Sequence, residues 1–183
     1  IEAVTGEAFL NLVDEMNMRL LKAAEMLKTT PMELIAKAQS SMNEIRELHQ
    51  TIEKMKDKMF AGDVENLIFA AKDVLGLKVV TASRDNMEAN DLRKLGDFLR
   101  DKDPNTVAVL ATVNGEKVTL LAVCGKEAVA RGIKAGDIIR TIAPIVGGKG
   151  GGKPDSAMGG GTNVLKVDDA LAAVDDYVAG HTK

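Results

Sequence analysis

The strongest constraint in this sequence is the run of residues 146–161, in which eight of the sixteen residues are glycine. Glycine loses more backbone entropy on ordering than any other residue and has no side chain to pack, so no ordinary strand or helix is expected there. Unlike the Gly/Ser linkers between domains, the run contains Lys149, Lys153 and a Lys-Pro-Asp turn, and it lies between predicted core elements. We therefore predict a glycine-rich loop, residues 147–161, whose bare backbone amides approach an anion; a plain linker is the alternative.

The glycine run does not have the spacing of the common nucleotide-binding loops. A Walker A loop ends in Gly-Lys-Ser/Thr, and this ending is missing after Gly147. The dinucleotide-binding fingerprint fails as well, because Lys153 stands where the last glycine should be and the run follows a predicted helix instead of a strand. The pattern therefore indicates anion binding outside these nucleotide-binding folds.

Charge is distributed unevenly along the chain. The formal net charge of −3 argues against a protein that binds polyanions over its whole surface. Residues 126–153 nevertheless hold six basic and two acidic side chains, a net charge of +4, which leaves −7 for the remainder. We predict a local cationic face near the glycine run, with Arg131, Lys134 and Arg140 as candidate contacts to a phosphate backbone. Further surface cations that could join this face are Arg84, Arg93 and Lys94.

The first 62 residues predict an elongated helical arm. Apolar residues at helical spacing run from Glu7 to Lys28, and Thr30, Pro31 and Glu33 then form a capping-box pattern that restarts the helix. The second helix has an apolar seam whose spacing alternates between four and three residues, which is a heptad pattern. The seam comprises Leu34, Ala38, Ser41, Ile45, Leu48, Ile52, Met55 and Met59, and all but Ser41 are assigned to dimerisation. This predicts a coiled-coil-like helical hairpin whose seam packs on the first helix, on a second copy of the chain, or on both; we favour a homodimer.

From residue 63 onwards the pattern changes to short strands and helices. Asp63 is expected to cap a helix that ends at Leu75, and Asn114-Gly115 has the positive-φ preference of a tight turn between two strands. The other predicted elements are a strand at 77–82, a helix at 88–100, strands at 106–113 and 117–124, and helices at 134–145 and 168–178. The predicted fold class is α+β (or α/β): a helical arm over 1–62, and a compact globular domain over 63–183 with a small mixed β-sheet covered by helices.

Cysteine and histidine are scarce. The single cysteine, Cys124, lies in an apolar run and excludes an internal disulfide and a cysteine-based zinc cluster. The two histidines, His49 and His181, cannot supply the ligand cluster of a hydrolytic metal site. The sequence shows no signal peptide and no apolar run of membrane-spanning length, so a cytoplasmic protein is expected. Residues 1–6 predict that the chain is a fragment of a longer protein.

The residue sequence of the glycine run resembles the glycine motif in the C-terminal domain of alanyl-tRNA synthetases. The resemblance rests on Gly147-Gly148-Lys149-Gly150-Gly151-Gly152-Lys153-Pro154-Asp155, followed by Ala157 and Gly159-Gly160. The preceding helix, 133–146, resembles that family too, and residues 1–6 look like the end of its editing domain. The departures are Lys153 in place of the usual Arg, which loses the planar guanidinium fork, and Ser156 and Met158 in place of Met and Gln.

This resemblance implies a non-catalytic region with a helical dimerisation part and a globular, DHHA1-type part related to the accessory domain of DHH phosphoesterases. It implies contact with the elbow of alanine-specific tRNA, which helps the aminoacylation and editing domains of the same chain act on one tRNA. ATP and zinc belong to those other domains, so no cofactor or metal is expected here; non-specific DNA binding is left open. The expected nucleic-acid contacts are Gly147, Gly148, Lys149, Gly150, Gly151, Gly152, Lys153, Asp155, Gly159, Gly160, Arg131, Lys134 and Arg140.

Two alternative functions stay open at this point. The globular part could be the lobe of a DHH-type phosphoesterase that binds the substrate phosphate, which would need metal ligands on another domain. The chain could also be a structural coiled-coil dimer module whose glycine loop binds nothing.

Overall fold

The computed structural model describes residues 5–182, so most of the predicted editing-domain junction at 1–6 lies outside the described residues. By its internal packing the chain divides into two compact units, residues 1–56 and 57–183. We call their described parts the N-terminal unit (5–56) and the globular unit (57–182).

Two helices make up the N-terminal unit. Helix α1 spans Glu7–Met26, which confirms the first predicted helix. A short 3-10 turn, Pro31–Glu33, then leads into helix α2, Leu34–Phe69. Thr30 precedes the turn in an extended conformation, and its hydroxyl donates to the Glu33 carboxylate at 3.3 Å. The threonine side chain therefore bonds to the glutamate side chain and does not cap a backbone amide.

The apolar side chains of the N-terminal unit stay largely exposed. Ala24 is the one buried residue among those described in this unit. Along the heptad seam, Leu34 and Ala38 are half-buried, whereas Leu48 is 55% and Ile52 48% exposed. The single chain therefore leaves most of the seam uncovered.

Helix α2 is longer than the sequence indicates. A helix break at Ala61-Gly62-Asp63 and a separate helix reaching Leu75 are wrong, because α2 continues unbroken to Phe69 and residues 72–74 form a strand. Phe60 and Val64 lie one helical turn apart and are both buried in the globular core. Their packing on either side of Gly62 outweighs the modest helix cost of one glycine.

A six-stranded mixed sheet forms the centre of the globular unit. The strands are β1 (Lys72–Val74), β2 (Leu77–Asp85), β3 (Thr106–Asn114), β4 (Lys117–Cys124), β5 (Lys149–Gly152) and β6 (Ser156–Gly161), in the order β1-β2-β3-β4-β6-β5. Strands β2 and β3 are parallel and every other neighbouring pair is antiparallel. This confirms the predicted strands at 77–82, 106–113 and 117–124 and the mixed sheet.

The turn between β3 and β4 lies one residue later than the sequence pattern indicates. Asn114 pairs with Lys117, so the two turn residues are Gly115 and Glu116. Gly115 has φ +61° and no positive φ occurs at Glu116, which is the backbone pattern of a type II′ turn with glycine first.

Helices cover both faces of the sheet. They are α3 (Ala89–Lys102), α4 (Lys126–Ala130), α5 (Ala135–Ile142) and α6 (Val167–His181). Alternate residues of β3 point to opposite faces: Val107 and Val109 pack in a cluster with α5 and α6, and Ala108 and Leu110 pack with α3 and the end of α2. Helix α5 ends at Ile142, earlier than predicted, because Pro144 has no amide hydrogen with which to continue the helical hydrogen bonds. The fold is α+β, and no helix among the described residues is long and apolar enough to cross a bilayer.

Candidate nucleic-acid interface

The glycine run forms a β-hairpin. The prediction that no strand passes through residues 147–161 is wrong, because β5 and β6 pair there and extend the sheet beyond β4. The physical reason is the close approach of backbones. A Cβ atom on Gly148 would lie 1.6 Å from the Gly160 carbonyl oxygen, and one on Gly161 would lie 2.0 Å from that of Val146.

The same closeness brings the hairpin against helix α5. A Cβ on Gly150 or Gly159 would lie 2.4 or 2.7 Å from Cγ2 of Ile139, and one on Gly136 would lie 2.7 Å from the Gly152 carbonyl oxygen. The glycines are therefore needed for helix-to-strand packing, independently of any ligand.

Only some of the glycine amides remain open to an anion. The amides of Gly147 and Gly148 donate to the carbonyls of Pro144 and Ala143 at 3.0 Å. Strand β6, with Gly159 and Gly160, lies between β4 and β5, so its amides face partner strands.

Strand β5 is different because it lies at the edge of the sheet. The Lys153 amide donates back to the Ser156 carbonyl at 2.9 Å, and strand alternation then points the amides of Gly150 and Gly152 away from β6. These two amides belong to exposed residues that have no side chain of their own, so they can meet an anion at the edge.

The structure brings two of the three predicted cations to the hairpin. The Ala135 amide donates to the Pro154 carbonyl at 2.8 Å, which holds Lys134 next to the turn that contains Lys153. The Nε atom of Arg140 lies 3.9 Å from the Cβ position of Gly151, and its guanidinium pairs with Asp137.

Arg131 and Asp155 have structural contacts of their own. Arg131 donates to the Leu75 carbonyl at 3.0 Å, at the turn between β1 and β2. Asp155 accepts at its carbonyl from the Cys124 amide at 3.0 Å, and its carboxylate lies 3.9 Å from Arg100. Both residues support the fold around the sheet.

A groove runs between α3 and β6 on the face of the sheet opposite α5. It is a shallow, open groove of about 760 Å³, and its lining includes Arg93, Glu116, Lys117, Thr119, Met158 and Gly160. A second hollow of about 570 Å³ shares Arg93 and Met158 with it and reaches Arg100 and Lys153. The Nε atom of Arg93 donates to the Met158 sulfur at 2.7 Å, so this arginine lies over β6.

Ion pairing divides the cations of the globular unit into two groups. Those with carboxylate partners within 4.0 Å are Lys72, Lys78, Arg84, Arg100, Lys102, Arg140 and Lys166. Around the hairpin and the groove, by contrast, no carboxylate of the described residues pairs with Arg93, Lys117, Lys134, Lys149 or Lys153. Lys58 and Lys126 also lack such a partner within the described part of the chain. The five cations around the hairpin and groove, which we call the hairpin cations, leave that surface uncompensated and able to bind phosphates.

Sequence reasoning named Arg93 as one of several surface cations and missed Lys117. Lys117 joins the groove because Thr119, two residues further along β4, pairs with Gly160 of β6. The sequence carries no signal for that pairing, because β6 itself is not predicted as a strand.

The titratable groups with shifted pKa values lie away from the hairpin cations. Burial raises the pKa of the Cys124 thiol to about 12, so this cysteine stays protonated. Burial also raises the pKa of the Tyr177 hydroxyl, whose ring stacks on His181 at 4.2 Å between centroids. Among residues 5–182, no group of three or more His, Cys, Asp or Glu side chains is placed to hold a metal ion.

Comparison with known proteins gives consistent matches. The model of the DHHA1 domain family matches residues 76–180. The alanine–tRNA ligase of Acetivibrio thermocellus is 41% identical over 171 residues, which is 93% of this chain and 19% of the relative. That of Cupriavidus necator is 38% identical over 180 residues, 98% of this chain and 20% of the relative. The chain thus spans about a fifth of the length of these curated relatives.

Among solved structures, the chain is similar to the C-Ala domain from Aquifex aeolicus alanyl-tRNA synthetase, a crystal structure. The two share 26% sequence identity with a TM-score of 0.57, over 60% of this chain and 98% of the other.

Proposed function

Because this chain belongs to the DHHA1 domain family and matches the C-terminal region of alanine–tRNA ligases, we propose that it is a non-catalytic tRNA-binding part of such a ligase. In this proposal the globular unit binds the elbow of alanine-specific tRNA. Binding there helps the aminoacylation and editing domains of the same protein to act on one tRNA molecule. ATP and zinc belong to those other domains, and the expected cytoplasmic location goes with this role.

The observation that supports RNA binding most directly is the group of hairpin cations. Elsewhere in the globular unit most lysines and arginines face a carboxylate, which lowers their value as phosphate ligands. Lys134, Lys149 and Lys153 lie beside the open amides of Gly150 and Gly152 and have no such partner among the described residues. Phosphates bound there would displace condensed counterions, so affinity should fall steeply with salt. Non-specific DNA binding would follow from the same chemistry.

Replacing two hairpin lysines tests the site. We expect Lys149→Ala with Lys153→Ala to weaken tRNA binding by about tenfold or more at fixed salt, and to lower the salt slope by roughly 1.5, because two phosphate contacts are lost. Filter retention over a salt series measures both quantities.

The matched control is Lys72→Ala with Lys102→Ala, which removes the same charge from two ion-paired lysines. Thermal melts of both double variants check that the fold is kept. A hairpin variant that binds as tightly as the control would rule out this surface. Protection mapping of a bound transcript then tests the elbow, since uniform protection would mean unspecific polyanion binding.

We also propose that the seam of α2 forms a homodimer. Its supporting observation is the exposure of most seam residues in the single chain, including Leu48 and Ile52. We expect Leu48→Glu with Ile52→Glu to shift the chain towards monomer, because carboxylates do not tolerate a heptad core. Sedimentation at several protein concentrations measures this, with Ile35→Glu, an exposed position outside the seam, as control. A wild-type chain that stays monomeric at every concentration would refute the dimer.

A further inference from the structure

The groove between α3 and β6 has the chemistry of a base-binding site, and we propose that it holds one unpaired nucleobase of the bound RNA. This inference rests on the proposed RNA-binding function and specifies which part of the RNA binds in the groove. The phosphates meet the hairpin, and the base enters the groove beside it.

Part of the groove lining is bare backbone, at Gly159, Gly160 and Gly161. Thr119 and Met158 lie on the α3 face of the sheet, next to Gly160, which projects nothing into the space. The groove volume of about 760 Å³ is within the roughly 300–1,000 Å³ of small-ligand sites. A planar ring can therefore lie against peptide groups and the Met158 thioether.

Arg93 borders the groove beside Met158. Of the five arginines in the globular unit, Arg84, Arg100 and Arg140 pair with carboxylates and Arg131 with a carbonyl. Arg93 has only the Met158 sulfur as a polar partner among the described residues. A guanidinium without a carboxylate partner can stack on a base, which is a common mode of recognition for unpaired bases in RNA.

The acidic residue in the lining favours a base over a phosphate as the ligand of the groove. Glu116 lines the groove together with Lys117 and Thr119. A carboxylate repels a phosphate group, whereas it accepts hydrogen bonds from the ring N–H and amino groups of bases. Glu116 can therefore bind the edge of a base in the groove, whereas the open amides of Gly150 and Gly152, with Lys134, Lys149 and Lys153 beside them, suit a phosphate at the hairpin.

Mononucleotides test the proposal directly. We expect GMP, AMP or CMP to shift the NMR amide signals of Thr119, Met158 and Gly160 as well as those of Gly150 and Gly152. Ribose 5-phosphate should shift only the two hairpin glycines, because it has a phosphate and no base. The proposal is overturned if ribose 5-phosphate shifts the groove signals equally, which would mean phosphate binding, or if no nucleotide shifts them.

A charge-conserving substitution in the full chain separates stacking from electrostatics. We expect Arg93→Lys to weaken binding of a single-stranded RNA oligomer by about tenfold, since one stacked base is lost, and to leave a fully paired RNA duplex unaffected. Arg84→Lys, at an arginine paired with Asp63, is the matched control and should change neither.

The two proposals fail in different ways. If the hairpin lysine variants bind tRNA normally while mononucleotides still shift the groove signals, the proposed interface fails and the base site stands. If the lysine variants lose tRNA and Arg93→Lys weakens single strand and duplex alike, the interface stands and the base site is refuted.

Discussion

The two units of this chain treat similar apolar patterns in opposite ways. In the globular unit, Ile138 and Ile142 of α5 and Val174 of α6 are fully buried. In the N-terminal unit, the most regular apolar pattern of the chain, the heptad seam, stays largely exposed at Leu48 and Ile52. Periodicity tells which side chains share a face, but burial depends on whether another element covers that face. The sheet does so in the globular unit, and the described residues of the N-terminal unit contain no equivalent.

The largest expected difference between the units comes from deleting one leucine side chain in each. Leu120→Ala in β4 should lower the free energy of unfolding of the globular unit by about 2–5 kcal/mol, because it opens a cavity in a fully buried cluster. Leu48→Ala should change the free energy of unfolding of the N-terminal unit by less than about 0.5 kcal/mol, since that side chain is exposed.

Urea unfolding at low protein concentration measures both, followed by circular dichroism, because helices occur in both units. Equal losses in the two variants would mean that the seam is covered within one chain, and the contrast between the units would disappear.

Glycine substitutions compare a tightly packed and an open backbone position within the globular unit. Gly148→Ala should destabilise the globular unit by about 1–3 kcal/mol, because its Cβ would overlap the Gly160 carbonyl oxygen. Gly62→Ala, in helix α2 with nothing within 4 Å of its Cβ position, should stabilise by about 0.5–1 kcal/mol. Thermal unfolding by circular dichroism compares the two. A neutral Gly148→Ala would contradict the close packing of the hairpin.

The smallest expected effect concerns one ion pair from each unit. The Lys78 ammonium, with help from the Asn105 amide, holds the pKa of the Asp103 carboxyl below its usual value. Since the folded-state pKa lies below the unfolded one, the stabilisation is present above about pH 4 and is lost as the pH falls through the folded-state pKa. Asp103→Asn should therefore cost about 0.5–1 kcal/mol at pH 7, with the difference from wild type vanishing in acid.

Its counterpart is Glu15→Gln, which removes the exposed pair between Glu15 and Arg19 on α1. That loss should be within about 0.5 kcal/mol. Urea unfolding at several pH values compares them, and a loss for Asp103→Asn that does not change with pH would contradict the ion-pair explanation.

Much of the globular fold follows from local pattern. The β-branched runs of β3 and β4 and the isoleucine spacing of α5 predict the right elements, because each is covered on a face that the pattern marks. The hairpin of β5 and β6 could not be predicted in this way. Its glycines are unfavourable for strands locally, and only the nearby backbone of α5 and the neighbouring strands makes them necessary.

The candidate site divides along the same line. Lys134, Lys149 and Lys153 lie near one another in the sequence, so they could be named as candidates, although the sequence does not tell which cations share a face. Arg93 and Lys117 reach that region only through the packing of α3 and the pairing of β4 with β6, which composition and spacing do not encode. Arg131 was named as a candidate by charge alone, and the fold uses it at the turn between β1 and β2.

The packing of the glycine hairpin has a consequence for how the sequence of this domain can change during evolution. Positions 148, 150, 159 and 161 would reject almost any replacement on steric grounds, even in a descendant that had lost its ligand. Their persistence in a lineage would then measure selection for folding. The lysines between them carry no such steric restriction. Loss or reversal of charge at positions 149 and 153 would therefore indicate a change of binding partner.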